Sequence, residues 1–103
     1  MNFKWSQKEK EISRQAFEMA YDKKCNNIIE VIKNHQLAKS DDIWKLGKFI
    51  KEQEKEVDRL FEYTYSKLIL AFAKFLKEDL IQLADLDGLK EDKIEKIKQI
   101  AAI

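Results

Sequence analysis

Few side chains in this sequence could carry covalent chemistry. There is one cysteine, Cys25, and one histidine, His35, so a Cys/His nucleophile pair or a His-rich metal centre has almost no material to work with. His35 is expected at the exposed, polar end of a helix. Cys25 is expected as a small interior or half-buried residue, because nothing near it marks a reactive thiol. The stretch LADLDGLKEDKI sets Asp85, Asp87 and Gly88 in the order of a calcium loop. With Gly88 at the sixth position, however, Leu83 and Ile94 would fill the first and twelfth, where oxygen ligands are required. The paired carboxylates Asp41 and Asp42 are explained by the positive end of a helix dipole. No catalytic residue, metal ligand or cofactor is expected, and the chain reads as non-enzymatic.

Surface recognition is the class that remains, and its residues lie in SDDIWKLGKFIKEQEKEVDRL, positions 40–60. Ile43, Leu46, Ile50, Gln53, Val57, Leu60 and Thr64 recur at alternating steps of three and four. That is a heptad seam, narrower than the apolar face of an ordinary core helix. Gln53, a polar residue at a seam position, fits a seam that fixes register or oligomeric state at some cost in stability. Trp44 and Phe49 flank the seam, and Phe3 and Trp5 precede the first helix. Aromatic residues outside a continuous core stripe are common interface anchors, although the first helix packing over Trp44 would account for it equally well.

The elements that must position these residues are helices. The 103 residues include no proline and two glycines, with 38% charged and 45% hydrophobic, which leaves little punctuation for sheets or long loops. An all-α single domain spanning 1–103 is expected. Ser6 and Glu9 form a capping box opening a helix from about 7 to about 37, with polar YDKKCNN a possible break at 22–27. Ser40 is the expected cap of a second helix running from about 41 to about 64. That helix would be about 36 Å long, against a diameter of roughly 26 Å for a compact chain of this size. It must project, or be shared between subunits. A third helix in YTYSKLILAFAKFLKED, a turn, a short helix ended by Gly88, and a last helix in KEDKIEKIKQIAAI complete the chain. The whole divides into a helical stem, about 7–64, and a helical head, about 65–103, with five helices or fewer.

Twenty basic and 19 acidic residues leave a formal charge of +1, too little to hold nucleic acid or an anionic membrane by a global field. LADLDGLKEDKIEKIKQI is similar to a helix-hairpin-helix that grips phosphate through backbone N–H groups. It has one glycine where that motif has a pair, so weak DNA binding is kept only as the lowest-ranked function. The longest apolar run, LILAFAKFL, is far short of the about 20 residues a membrane span needs. MNFKWSQKEK lacks the apolar core of a signal peptide, and a cytoplasmic protein is expected.

Beyond these local signals, Trp5-Ser6-Gln7, DDIWKLGKFI, KEVDRLFE, YSKLILAFAKFLKED and GLKEDKIEKIKQIA, in this order and separation, resemble the fluorescence recovery protein family of cyanobacteria. The resemblance runs from about Trp5 to the C-terminus. It implies an all-helical homodimer joined along its long helix, with a small head at each end. It also implies binding to the orange carotenoid protein, faster return of that protein from the active red to the resting orange form, and hence photoprotective regulation without covalent chemistry.

By the same resemblance, Trp44 stands at the family's tryptophan near the dimer and partner surfaces, Phe72 and Lys96 match aromatic and basic residues of the head, and Glu56 and Asp58 also match. Where the family has histidine then aspartate the chain has Gly47 and Lys48, and where it has an arginine the chain has Glu54. Trp44, Lys48, Phe72 and Lys96 are thus the expected partner contacts. Ile43, Leu46, Ile50, Gln53, Glu54, Val57 and Leu60 are the expected dimer interface. Lys48 and Glu54 preserve an ion pair with its sign exchanged if the two helices run antiparallel. The outward charge is then reversed, which favours a second reading: a divergent relative using the same dimer on a different protein partner.

Overall fold

The protein's structure, a computed structural model, describes residues 3–103. Among them are four α-helices, α1 (Gln7–Lys33), α2 (Ser40–Leu60), α3 (Leu68–Lys77) and α4 (Glu91–Ala101), with one 3-10 turn at Leu83–Leu86. The radius of gyration is 16.4 Å and the longest extent 53 Å, against about 13 Å for the radius of a compact chain of this length. The elongation comes from the α1/α2 hairpin, whose distal half leaves the core.

The capping box opens α1 as expected: the Ser6 hydroxyl accepts the Glu9 N–H at 3.1 Å, and the Glu9 carboxylate accepts the Ser6 N–H at 3.0 Å. The helix ends at Lys33, four residues short of expectation, and runs unbroken through 22–27. Weak local propensity there is overridden by Lys24, which reaches Glu56 on α2 and Glu78 beyond α3, 3.4 Å to each, and ties three elements together.

Lys39 rather than Ser40 is the N-cap of α2, and Asp42 satisfies that end by accepting the N–H groups of Ala38 and Lys39 at 3.0 and 2.9 Å. These two backbone bonds hold the Asp42 carboxyl below its usual pKa. At the other end α2 stops at Leu60, because Phe61 leaves the helix to join an aromatic cluster. Its ring lies 5.5 Å from Phe17 and 5.0 Å from Phe75, while Tyr63 meets Phe17 edge-on at 4.9 Å. Such contacts outweigh the few tenths of a kcal/mol per residue that one more helical turn would supply.

The core is formed where α3 and α4 close over the first half of α1. Leu68, Phe72, Phe75, Leu86 and Ile97 are fully buried, with Ala16 and Ala20 of α1 against them. Helix α3 ends in a left-handed stop at Asp79, φ 58°. Leu80 N–H bonds Phe75 C=O at 2.9 Å and Asp79 N–H bonds Leu76 C=O at 3.2 Å, the two bonds of a Schellman motif.

Gly88 has φ +103°, and a Cβ built there would stand 2.5 Å from Ile12 Cδ1. The backbone conformation calls for glycine, while the contact on α1 is with the far end of the Ile12 side chain, which can shift. Gly88→Ala is expected to lower the stability measured by urea unfolding by about 1–3 kcal/mol; an unchanged midpoint would refute this role.

Candidate functional site

The surface of α2 divides into three sectors at 100° per residue. One faces α1: Phe49 packs on His35 with ring centroids 5.6 Å apart, His35 Nδ1 lies 3.0 Å from Val31 C=O, and Glu56 pairs with Lys24. His35 is half-buried at the hairpin tip, and Leu46, Gln53 and Val57 are also half-buried.

The second sector is apolar and open. Ile43 is 54% exposed and Ile50 43%, and between them lies Gly47, around whose absent Cβ no atom comes within 4 Å. Glu54 continues this line and is exposed. Leu60, grouped with these residues by spacing, is 7% exposed in the core of its own chain. That placement removes it from the open face, because the helix rotates Leu60 toward the head just as the chain enters it.

The third sector carries Trp44, 72% exposed, and the exposed Lys48. Helix α1 does not pack over Trp44, so packing among the described residues does not account for this ring.

The other two expected partner contacts lie in the head. Lys96 on α4 is half-buried. Phe72 is 0% exposed, which corrects its assignment as a contact: a ring enclosed by the core, 6.0 Å from Phe75, presents no surface to another protein. That assignment rests on a match of residue type, which does not say which side of α3 faces out; Leu70, at 56% exposure, is the apolar residue that does. Trp44 lies about 24 Å along α2 from Leu60, so a single chain does not bring Trp44 and Lys96 together.

Sequence reasoning missed the buried pair Glu9 and Lys93, 2% and 1% exposed and 2.9 Å apart. Glu9 also accepts the Lys90 N–H at 2.9 Å, capping α4 as well as α1. Burial opposes ionisation, but the Lys90 and Ser6 amides and the Lys93 ammonium outweigh it and lower the Glu9 pKa to about 2. The Lys93 ammonium lies 5.1 Å from the Trp5 ring centroid and 5.6 Å from that of Phe3.

This arrangement bears on the helix-hairpin-helix reading. The α4 N-terminus that would receive a phosphate already holds a carboxylate, and Glu91 and Asp92 stand in its first turn. No helix among the described residues is long and apolar enough to cross a membrane.

The family model for the photoprotection regulator fluorescence recovery protein matches residues 5–101. The chain is 33% identical over 101 residues to a fluorescence recovery protein of Synechocystis sp., covering 96% of this chain and 93% of that one. Its fold is similar to the solved structure of the Fremyella diplosiphon fluorescence recovery protein, with a TM-score of 0.90 and 32% identity over 97% of this chain and all of the other. The solved Synechocystis fluorescence recovery protein is similar to the same extent, with a TM-score of 0.90, 32% identity and the same coverage.

Proposed function

The chain belongs to the photoprotection regulator family of fluorescence recovery proteins, and on that premise we propose that it is a homodimer that binds the orange carotenoid protein and speeds its return from the red to the orange form. The observation that carries this reading is the open face of α2, with Ile43, Gly47 and Ile50 uncovered beside a tryptophan exposed over most of its surface. Isoleucines at that spacing on a projecting helix lose favourable burial when left in water. A glycine inside a helix costs about 1 kcal/mol against alanine, and among the described residues nothing approaches Gly47 to make use of it. A second α2 packed against this face supplies both the burial and the close approach.

An antiparallel pair centred near Ile50 sets Ile50 beside its own copy and brings each Ile43 toward Val57 of the other helix. It also carries Trp44 of one chain toward the head-proximal end of the other helix. Trp44 and Lys96, far apart in one chain, then come closer across the pair. Such a dimer acts by preferring one conformation of its partner: binding a resting or intermediate form more tightly than the active one shifts the population or lowers the barrier between them. No covalent step is needed.

A second reading has the same dimer acting on another protein, and the observation favouring it is the basic charge of Lys48 at the exposed surface. Titration of the orange carotenoid protein with wild type and Trp44→Ala separates the two. Trp44→Ala is expected to leave helicity and melting unchanged, because the ring is exposed, and to weaken binding by about 2 kcal/mol or more, as an interface anchor does. Equal binding by both would remove Trp44 from the contact. No binding by either would favour the other partner.

A further inference from the structure

The third sector of α2 is mainly basic, with Asp41 and Glu52 its two acidic residues. Lys45, Lys48, Lys51, Lys55 and Arg59 all fall, with Trp44, within about 120° of the helix circumference, and all are exposed. The salt bridges among the described residues are made by other lysines, Lys24, Lys33, Lys67 and Lys93, so none of these five cations is held in a direct ion pair there. They extend over about 21 Å of helix.

Arg59 also borders a groove of about 330 Å³ on the head, which Lys67, Leu70 and Lys74 help to line. Leu70 is the exposed apolar residue of α3. The strip therefore runs from an aromatic anchor at Trp44, along a row of cations, to an apolar groove at Leu70. It lies outside the open apolar sector, so pairing two α2 helices through Ile43 and Ile50 leaves it uncovered.

We propose that this strip docks an acidic amphipathic helix of a partner protein, about four turns long, with apolar residues near its two ends. The steps of three and four between the cations match carboxylates at i, i+3, i+4 and i+7 on a helix laid alongside, and apposed opposite charges steer such partners together. A protein suits the strip better than a continuous polyanion. Glu52 sits in the middle of the row and is exposed; it would repel a phosphate backbone or an anionic lipid layer, whereas a partner protein can place a cation against it. The proposal rests on the reading of α2 as a contact helix, but not on the identity of the partner.

The test uses the full chain and a fluorescein-labelled helical peptide of 14 residues. Glutamates occupy its i, i+3, i+4 and i+7 positions and a leucine stands near each end. Binding is followed by anisotropy at low and at physiological salt. Lys48→Glu/Lys55→Glu is compared with Lys8→Glu/Lys23→Glu, which makes the same change in net charge at exposed positions of α1. The strip variant is expected to bind about tenfold or more weakly than wild type at low salt, with a flatter salt dependence. The control is expected to stay within about twofold.

Equal weakening in both variants would overturn the proposal by reducing the effect to net charge. No binding by wild type would overturn it, and so would tighter binding to duplex DNA or to phosphatidylserine vesicles than to the peptide. Because the probe contains no carotenoid protein, failure here leaves the proposed function standing, and failure of that function leaves this result readable.

Discussion

Glu9→Gln is expected to destabilise the fold by about 3–5 kcal/mol, the cost of leaving the buried Lys93 ammonium without its counter-ion. Glutamine keeps one acceptor oxygen, so it can accept only one of the Ser6 and Lys90 amides, which bond different oxygens of Glu9, and the loss combines the charge with one backbone hydrogen bond. A chain of this size is stable by about 5–15 kcal/mol in total, and the variant would melt far below the wild type or be partly unfolded at room temperature. The double variant Glu9→Gln/Lys93→Met removes the orphaned cation and is expected to recover most of the loss. Calorimetric melting of wild type, both single variants and the double variant gives the coupling directly; simple additivity would mean that the pair contributes nothing as a pair.

The same carboxylate predicts an acid limb. Its folded pKa, about 2, is below the ordinary 4.5, so the contribution is present above about pH 4.5 and is lost as pH falls from there toward about 2. By linkage it amounts to about 3 kcal/mol. Urea midpoints measured between pH 6 and pH 2.5 are expected to fall in wild type and to fall less in Glu9→Gln.

Ile50→Asp is expected to leave the chain folded and to dissociate the proposed dimer. Ile50 is 43% exposed in the single chain, so an aspartate there meets water and costs little. At the centre of an antiparallel pair it would set two carboxylates against one another in a closed apolar contact. That is worth several kcal/mol, and the dimer dissociation constant rises by about two to three orders of magnitude. Leu60→Asp is the contrasting variant: it buries a charge in the head core and is expected to unfold the chain itself. Sedimentation equilibrium and circular dichroism distinguish monomer from unfolded chain. A folded, fully dimeric Ile50→Asp would remove this face from the interface.

What could be read from the residues alone follows from the range of the interactions. The Ser6/Glu9 box was legible because both its bonds close within four residues, and the heptad steps in α2 were legible because they are a local rhythm. Trp44 stood out as an aromatic residue beside the stripe, but only the placement of α1 decided that it is uncovered. The end of α2 was misplaced because the rhythm continues to Thr64, while Phe61 is drawn out of the helix by Phe17 and Phe75, far away in the chain. Phe72 is expected as a contact on the resemblance alone, and a match of residue type does not say which side of a helix faces solvent. Lys93 read as one more lysine of a Lys-rich helix. Its burial depends on Glu9, near the other end of the sequence, and no local pattern announces such a pair.

The most direct measurement is the dark recovery of photoactivated orange carotenoid protein, followed by absorbance with no addition, with the Synechocystis fluorescence recovery protein, and with this protein and its Ile50→Asp variant. The expected result is an acceleration by the wild type that increases with the concentration of dimer and is reduced in the variant. A folded, dimeric wild type that leaves the recovery rate at the no-addition value would contradict the proposed function.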